Sequence, residues 1–462
     1  MNLRGLLIVA VLLTVLVPAR AFSQDQPWLA DRKYTVGPGY RVGDFELHPG
    51  FAAEFGYDSN FFLLASKGDS QGEPAGAMRL RLTPSFSFST LGPQRRETTA
   101  QTPPPPLEIF GGVSATYNEF FPVNGPEKKQ FQLGEQRNIS GHADIRFGFN
   151  TGHPWSGSIA GSVSRLIQPS QEGVIFQSFN RFVPTGAAEI IWTPNNGMLD
   201  WRLGYNFTGV VFESDTFSGL TNFNHTLQMR GRWRFLPRSA LLYDARFSII
   251  HYVAQDEDDY KTGSMPIRAQ LGYNGLITPN FGALLMVGWG SSFYDPNKAE
   301  SATNVQDFDS IISQAEIRYF FNVGSGRTVD PAGPSSTSAF ALGFTRDFYD
   351  AYVGSYFERD RGYLKLTYYV GGKFVVIVDA GAGALVNPSI KRPDFAKSGW
   401  TDIRIDAAGF AEYRFRDAFG VNATLRYGTR LSDETLPIKN SSIPDKLQWS
   451  QFEAYLGVRW LM

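Results

Sequence analysis

The fold class is decided by one stretch of sequence, Thr226-Leu227-Gln228-Met229-Arg230-Gly231-Arg232-Trp233-Arg234-Phe235. Apolar residues and glycine occupy every second position of this stretch, and polar residues occupy the positions between them. A period of two is the period of a β-strand, whose successive side chains point to opposite faces. One face also carries three arginines, which need water around them. The stretch is therefore predicted to be a strand with an apolar medium on one side and water on the other.

The same alternation returns along most of the chain. It is present in the segments Ile139 to Phe149, Ile403 to Arg416, Leu107 to Tyr117, Leu241 to Ile249, Ile267 to Tyr273 and Val421 to Tyr427. Aromatic residues make up 15% of the chain, and many of them stand near an end of such a segment. Tilted strands of about ten residues with aromatic residues at both interfaces are typical of membrane crossings. The sequence predicts an all-β fold, a transmembrane antiparallel up-and-down β-barrel; the alternative is a soluble sandwich or β-helix.

The connections between these segments alternate in length. Short links rich in Gly, Pro and Asn, such as 236–239 and 278–280, alternate with longer polar links, such as 255–264 and 433–446. Short periplasmic turns and long extracellular loops are typical of outer-membrane barrels. Counting from a first strand near Phe45 predicts roughly eighteen strands, an even number as such barrels have. Residues 45–462 are therefore assigned to one barrel.

Both ends of the chain carry export signals. Residues 1–21 combine Arg4, an apolar run and a Pro18-Ala19-Arg20-Ala21 site, which predicts a cleaved signal peptide. The run is too short for a membrane anchor, and the chain has no cysteine to carry a lipid. Residues 22–44 are predicted to form a periplasmic arm. The apolar face from Phe452 to Met462 resembles the C-terminal signal read by barrel-assembly machinery, except that an aromatic residue is usual at the last position.

These signals place the protein in the outer membrane of a Gram-negative bacterium. The expected partners are the lipid and lipopolysaccharide of that membrane, the barrel-assembly machinery and the cargo. The four prolines 103–106 stand in a link on the periplasmic side, where a stiff extended segment suits either a docking site for a periplasmic partner or a plain turn. Nucleic acid is not an expected partner. The chain has a net charge of -1, which becomes -3 once Arg4 and Arg20 leave with the signal peptide.

The alternation also predicts which side chains line the pore. The predicted pore-lining arginines are Arg79, Arg81, Arg146, Arg202, Arg230, Arg232, Arg234, Arg268, Arg318, Arg404, Arg414, Arg416, Arg426 and Arg459. The predicted acidic partners are Glu108, Asp144, Glu189, Glu316, Asp406, Glu412 and Glu453. Arginine exceeds acid on this wall, which favours two interpretations: the wall concentrates anions, or a lattice of arginine–carboxylate pairs stiffens the barrel. Aromatic residues at the same faces, Phe320, Phe410 and Tyr455, are predicted to stack on sugar rings.

Residues for catalysis or metal binding are not gathered in any local motif. The five histidines lie in separate segments without a nucleophile elbow or a metalloprotease signature. We therefore expect no enzymatic activity and no cofactor. The acidic run Asp256 to Asp259 offers oxygen ligands for Ca²⁺ but lacks the spacing and glycine of a calcium loop, so a solvated loop is the preferred interpretation.

One short region adds a resemblance to a known family. Residues 43–51, Gly-Asp-Phe-Glu-Leu-His-Pro-Gly-Phe, and residues 55–62, Phe-Gly-Tyr-Asp-Ser-Asn-Phe-Phe, resemble the opening strand of the β-barrel porin type 2 family. The resemblance implies an outer-membrane barrel associated with capsule or exopolysaccharide export, and with it a periplasmic polysaccharide-export protein as a partner.

Our leading hypothesis is therefore a passive conduit for a secreted polysaccharide. The alternatives are a general diffusion porin for small anionic solutes, favoured if a long loop folds inward, and a surface adhesin or barrel enzyme.

Overall fold

The fold is known from a computed structural model that describes most of the chain after residue 38. The described residues are 39–65, 73–90, 106–134, 136–167, 180–194, 197–213, 215–253, 263–294, 306–321, 338–351, 355–370, 373–391, 396–416, 418–436 and 445–462. The predicted signal peptide, most of the arm, the acidic run 256–259 and the prolines 103–105 lie outside these residues. No helix in the described part of the chain is long and apolar enough to span a membrane.

Long antiparallel strands make up almost all of the described chain. In order they are β1 (Tyr40–Val42), β2 (Phe45–Asp58), β3 (Gly76–Thr90), β4 (Leu107–Asn124), β5 (Asn138–Phe149), β6 (Trp155–Leu166), β7 (Arg181–Trp192), β8 (Leu199–Phe212), β9 (Asn222–Leu236), β10 (Ser239–Tyr252), β11 (Ser264–Leu276), β12 (Phe281–Tyr294), β13 (Phe308–Phe321), β14 (Ser338–Asp350), β15 (Tyr356–Val370), β16 (Phe374–Asn387), β17 (Ile390–Lys391), β18 (Ala396–Lys397), β19 (Trp400–Arg416), β20 (Phe419–Leu431), β21 (Thr435–Leu436), β22 (Asp445–Lys446) and β23 (Trp449–Leu461). A helix, α1 (Glu127–Gly134), follows β4, and a 3-10 helix (Asp215–Leu220) follows β8.

Eighteen of these strands close into a barrel. Each strand from β2 to β16 pairs with its chain neighbours, and the ladder then continues through β19, β20 and β23. β23 pairs back onto β2, from Gly50 opposite Leu461 to Asp58 opposite Glu453, so the sheet has no free end. The predicted antiparallel barrel and its strand count are confirmed. Closure matters in a membrane because lipid cannot satisfy the hydrogen bonds of an open sheet edge.

Only the last residues of the predicted arm are described. Tyr40–Val42 forms β1, which pairs with the first residues of β2. The extra strand extends the sheet at the end of the barrel where the C-terminus also lies.

Short turns gather at that same end. Pro237-Arg238 joins β9 to β10, and residues 277–280 join β11 to β12, as predicted. The turn after β5 needs left-handed backbone, since Asn150 has a φ of 53° and Gly152 a φ of 81°. Short turns mark the periplasmic end of an outer-membrane barrel.

The outer wall of the barrel is apolar and exposed. On β9 the exposed side chains are Leu227, Met229 and Trp233, which alternate with the arginines predicted to face inward. The same outward pattern continues on neighbouring strands, for example at Leu271 and Leu285. A closed barrel with a continuous belt of exposed apolar side chains requires lipid around it. The protein is an outer-membrane β-barrel.

The opposite, extracellular end is covered by a hydrophobic cluster that we call the extracellular cap. Its members come from four connections and from the strand ends beneath them: Phe61, Phe62, Leu63, Leu64, Ala75, Ala77, Phe120, Leu133, Ile390, Trp400, Leu447 and Trp449. Asn60 fixes the first of these connections, because its side-chain amide donates to the backbone oxygens of Leu64 and Ser450. The segment 60–65 is therefore tied to the far side of the closing seam.

Candidate functional site

The inner face of the barrel is identified by ion pairs that skip strands. Arg359 on β15 lies 3.3 Å from Asp406 on β19, on the far side of β16. Arg268 on β11 lies 2.9 Å from Asp347 on β14, across two intervening strands. Side chains can meet over an intervening strand only on the concave side of a closed sheet. These residues therefore line the lumen, and it is the lumen that we treat as the candidate site.

One group of lumenal charges, the β7–β9 patch, lies near the periplasmic end. It consists of Glu189, Asp200, Arg202, Arg230, Arg232 and Arg234. Arg230 and Arg202 share Glu189, at 2.7 and 3.4 Å, and Arg202 also reaches Asp200 at 2.8 Å. Arg232 lies 3.4 Å from Asp200. Within the described part of the chain Arg234 has no ion pair, so four arginines here face two carboxylates.

A second cationic group, the β19–β23 patch, lies at the same end. Arg414 bonds to Glu412 with a 2.6 Å contact, and Arg459 bonds to the same carboxylate oxygen from β23. Arg416 lies two residues beyond Arg414, is exposed, and makes no ion pair with any described residue. Two arginines share one carboxylate and a third has no ion pair with a described residue, so this patch also keeps an excess of positive charge.

Charges are balanced nearer the extracellular end, in a group we call the closure network. Its acids are Glu54, Asp58 and Glu453, and its bases are Arg79, Arg81 and Arg426. Arg79 lies 3.5 Å from Asp58 and 3.6 Å from Glu453, and its guanidinium also stacks over Phe120 at 4.7 Å. Arg81 lies 3.2 Å from Glu54, and Arg426 lies 3.6 Å from Glu453. The network crosses the seam between β2 and β23 under the extracellular cap.

The remaining predicted lumen residues divide between paired and unpaired positions. Arg318 bonds to Glu316, which also accepts a 2.7 Å bond from Tyr363. Arg404 is buried, with its guanidinium 6.0 Å from the ring of Trp449. Arg146 is exposed on the inner face of β5 and makes no ion pair with a described residue. The other two predicted acids lie on the same side of the wall: Glu108 on β4, and Asp144 on β5, where His142 approaches it to 3.2 Å.

The aromatic prediction is wrong for two of its three residues. Phe410 is buried against Ala52 and Val375, and Tyr455 is buried with the Arg81 guanidinium 3.6 Å from its ring centre. Phe410, on β19, is covered by residues of β2 and β16, and Tyr455, on β23, is covered by an arginine of β3. Phe320 is partly exposed beside Gly282.

Sequence alternation missed the strongest lumenal pairs on β15 and β20. Arg361 contacts both Asp379 and Asp406, and Arg430 contacts Asp402, which is fully buried. β15 carries charge on both faces at its extracellular half, so its pattern does not show a polar and an apolar side. The available signal was the run from Phe357 to Lys365, in which the lumenal positions 359, 361 and 365 are basic.

Among the described residues, no group of three or more histidine, aspartate or glutamate side chains is arranged to hold a metal ion. The acidic run 256–259, the alternative calcium site, lies outside those residues.

No known protein-family model matches the chain, and no curated protein matches it in sequence. The type 2 porin resemblance of residues 43–62 therefore stays a prediction.

Similar solved structures are outer-membrane proteins of low identity. OccK7 (OpdD) of Pseudomonas aeruginosa is 10% identical, with 91% of this chain and 99% of that chain covered and a TM-score of 0.45. OccAB4 of Acinetobacter baumannii is 11% identical, with coverages of 92% and 100% and a TM-score of 0.43. A structure described as a bacterial polysaccharide outer membrane secretin is 11% identical, with coverages of 91% and 99% and a TM-score of 0.33. Identities and TM-scores this low carry no information about cargo.

Proposed function

We propose that the barrel is a passive outer-membrane conduit through which an anionic polysaccharide leaves the periplasm. The observation that carries the proposal is the excess of arginine in two patches at the periplasmic end of the lumen. In the β7–β9 patch four arginines face two carboxylates, and in the β19–β23 patch three face one. Positive charge lining a narrow, low-dielectric opening raises the local concentration of anions.

The closure network, in which the charges are balanced, supports a direction of transport as well as a preference for anions. An anionic polymer is attracted to the basic periplasmic mouth and then meets a wall whose charges are already paired. Binding that is favourable at entry and weaker further along is what conduction requires. Arginine suits carboxylate-bearing or phosphate-bearing sugars in particular, because its planar donors match both groups with two parallel hydrogen bonds.

A general diffusion porin for small anions is the second candidate, and one observation favours it. The segment 60–65 folds inward at the extracellular end, where Phe61 lies 5.0 Å from Phe120 and 5.4 Å from the Arg79 guanidinium. An inward-folded loop narrows the opening and selects small solutes.

The sign of the selectivity is tested in planar bilayers. We expect the wild-type barrel to pass anions in preference to cations, and Arg234→Glu with Arg416→Glu to lose that preference. The control is Arg137→Glu with Arg165→Glu, which changes the same number of charges on the outward-facing side of β4 to β6. A wild-type barrel that prefers cations, or a double variant that behaves like the control, contradicts the proposal.

The cargo is tested in cells by an in-frame deletion. Loss of surface and secreted polysaccharide, restored by the wild-type gene and not by Arg234→Glu with Arg416→Glu in a normally inserted barrel, supports export. Unchanged polysaccharide together with reduced uptake of small anions favours the diffusion porin.

A further inference from the structure

The barrel wall opens between β13 and β14. Their ladder begins with Ser338 opposite Phe321 and ends with Arg346 opposite Ser313. Both strands continue beyond that point, β13 to Phe308 and β14 to Asp350, each paired on its other side. The end of the β14–β15 hairpin, residues 347–351 and 355–357, has left the wall, and we call it the hairpin tip.

The hairpin tip lies inside the lumen, against the inner faces of β10 to β13. Phe348 stacks on Phe308, with ring centres 4.1 Å apart, and packs on Ile312. The hydroxyl of Tyr252, at the extracellular end of β10, donates to Asp350 at 2.5 Å. The tip therefore fills lumenal space across a width of four strands.

Side chains replace the backbone hydrogen bonds that the wall has lost. The Phe348 N–H donates to Asp347 Oδ1 at 2.8 Å, and the Phe348 carbonyl accepts from Arg268 Nη2 at 2.6 Å. On the other edge, the Ile311 carbonyl accepts from Arg346 Nε at 3.2 Å. An edge that faces lipid must be satisfied in some such way. These three backbone groups are thus paired without the ladder.

The same residues fit an uninterrupted wall. Extending the register from Arg346 opposite Ser313 brings Phe348 opposite Ile311, which is exposed to lipid. Phe348 then lies on the same outward side as Phe340, Leu342 and Phe344, two residues beyond Arg346. In that position its backbone would pair with β13 and its ring would enter the apolar belt.

We propose that the hairpin tip is a gate with two positions. In the packed position seen here it narrows the lumen on the extracellular side; in a zipped position the β13–β14 ladder continues and the lumen widens. Such an element can have two positions, because the backbone groups of Phe348 and Ile311 find partners in each and Phe348 packs on a different apolar surface in each. The proposal rests on the proposed channel function, but the two positions can be detected without any cargo.

The test uses the absence of cysteine from the chain. Gln306→Cys with Ser355→Cys captures the packed position, in which Ser355 Oγ lies 3.0 Å from the Gln306 carbonyl. Ile311→Cys with Phe348→Cys captures only the zipped position, because the two side chains now lie on opposite faces of the wall. Val287→Cys with Ser313→Cys, a pair in the continuous β12–β13 ladder, is the control. Each pair is oxidised in lipid vesicles, and conductance is recorded before and after reduction.

We expect both hairpin pairs to crosslink, conductance to fall in the packed lock and rise in the zipped lock, and the control crosslink to leave it unchanged. Gly290→Ala shifts the balance without changing a residue of the hairpin, because its methyl group would lie 2.6 Å from Phe348 Cε1 in the packed position. Overpacking of this kind lowers the packed crosslink roughly tenfold relative to the zipped one.

Failure of the Ile311–Phe348 crosslink while the control forms, or equal conductance in the packed-locked and zipped-locked states, overturns the gate. Barrels that form both crosslinks but conduct no ions would instead refute the proposed channel function, while the two positions of the hairpin would still be supported.

Discussion

Replacing Arg79 by methionine tests whether the closure network stabilises the seam between the first and last strands of the barrel. The Arg79 side chain is completely buried, lies within 3.6 Å of two carboxylates, and donates to Asn118 at 3.2 Å. Its partners stand on β2 and β23, the first and last strands of the barrel, and on β4. Methionine fills much of the volume but leaves Asp58 and Glu453 buried without their shared cation.

The expected cost follows from that geometry. Removing one partner of a buried ion pair costs about 3–5 kcal/mol, most of it the penalty of the charge left behind. Asp58 is left without a cation while Glu453 keeps Arg426, so we expect the lower part of that range, about 3–4 kcal/mol. Adding Asp58→Asn should recover part of the loss, because contacting residues are not additive.

The assay is reversible urea unfolding of the purified barrel in lipid vesicles, followed by tryptophan fluorescence. Arg137→Met is the control, since its side chain is mostly exposed and its pair with Glu119 lies outside the lumen; we expect no measurable change there. An Arg79→Met barrel as stable as the control would refute the claim that the closure network stabilises the seam.

Three further predictions concern the wall, a turn and the cap. Leu271→Arg, at a lipid-facing position in the middle of β11, should cost about 2–4 kcal/mol in vesicle unfolding, whereas Gln270→Arg on the lumenal face should cost little; equal losses would contradict the assignment of faces. Asn150→Val should destabilise the turn after β5 by about 1–2 kcal/mol in the same assay, because a β-branched residue resists left-handed backbone, and an unchanged unfolding curve would argue against that turn. Phe61→Ala should loosen the extracellular cap and raise single-channel conductance, and a cap that does not restrict the lumen would leave the conductance unaltered.

Sequence alone predicted the fold because one physical signal repeats in almost every strand. Lipid outside and water inside force a period of two, and Leu227 to Trp233 show it as clearly in the structure as in the sequence. The alternation of short and long connections, with short turns such as 237–238 and 277–280, then predicted the number of strands. β15 departs from this signal, because Glu358 and Asp360 occupy the outward side where the wall is interrupted and Arg346 pairs with both.

The candidate site was predictable in composition but not in pairing. Alternation put Arg230, Arg232 and Arg234 on the lumenal face, yet it could not show that Arg230 shares Glu189 with Arg202 from the next strand. The stagger between strands decides which side chains pair, and the sequence pattern does not predict that stagger. For the same reason the burial of Tyr455 under Arg81, and the departure of Phe348 from the wall, became visible only in three dimensions.

The two interpretations of the lumenal arginines apply to different arginines. A buried charge must be paired, because desolvation would otherwise displace it, and Arg79 in the closure network meets that requirement. Arg416 is exposed and has no partner among the described residues, so stability does not explain it. Substitutions of Arg79 and Arg416 should therefore affect different properties of the barrel. Arg79→Met should lower the free energy of unfolding and leave anion preference intact in the barrels that insert, whereas Arg416→Ala should weaken anion preference at unchanged stability. If both substitutions altered both properties together, a single lattice would serve both ends of the lumen, and the periplasmic excess would have no separate role in attracting cargo.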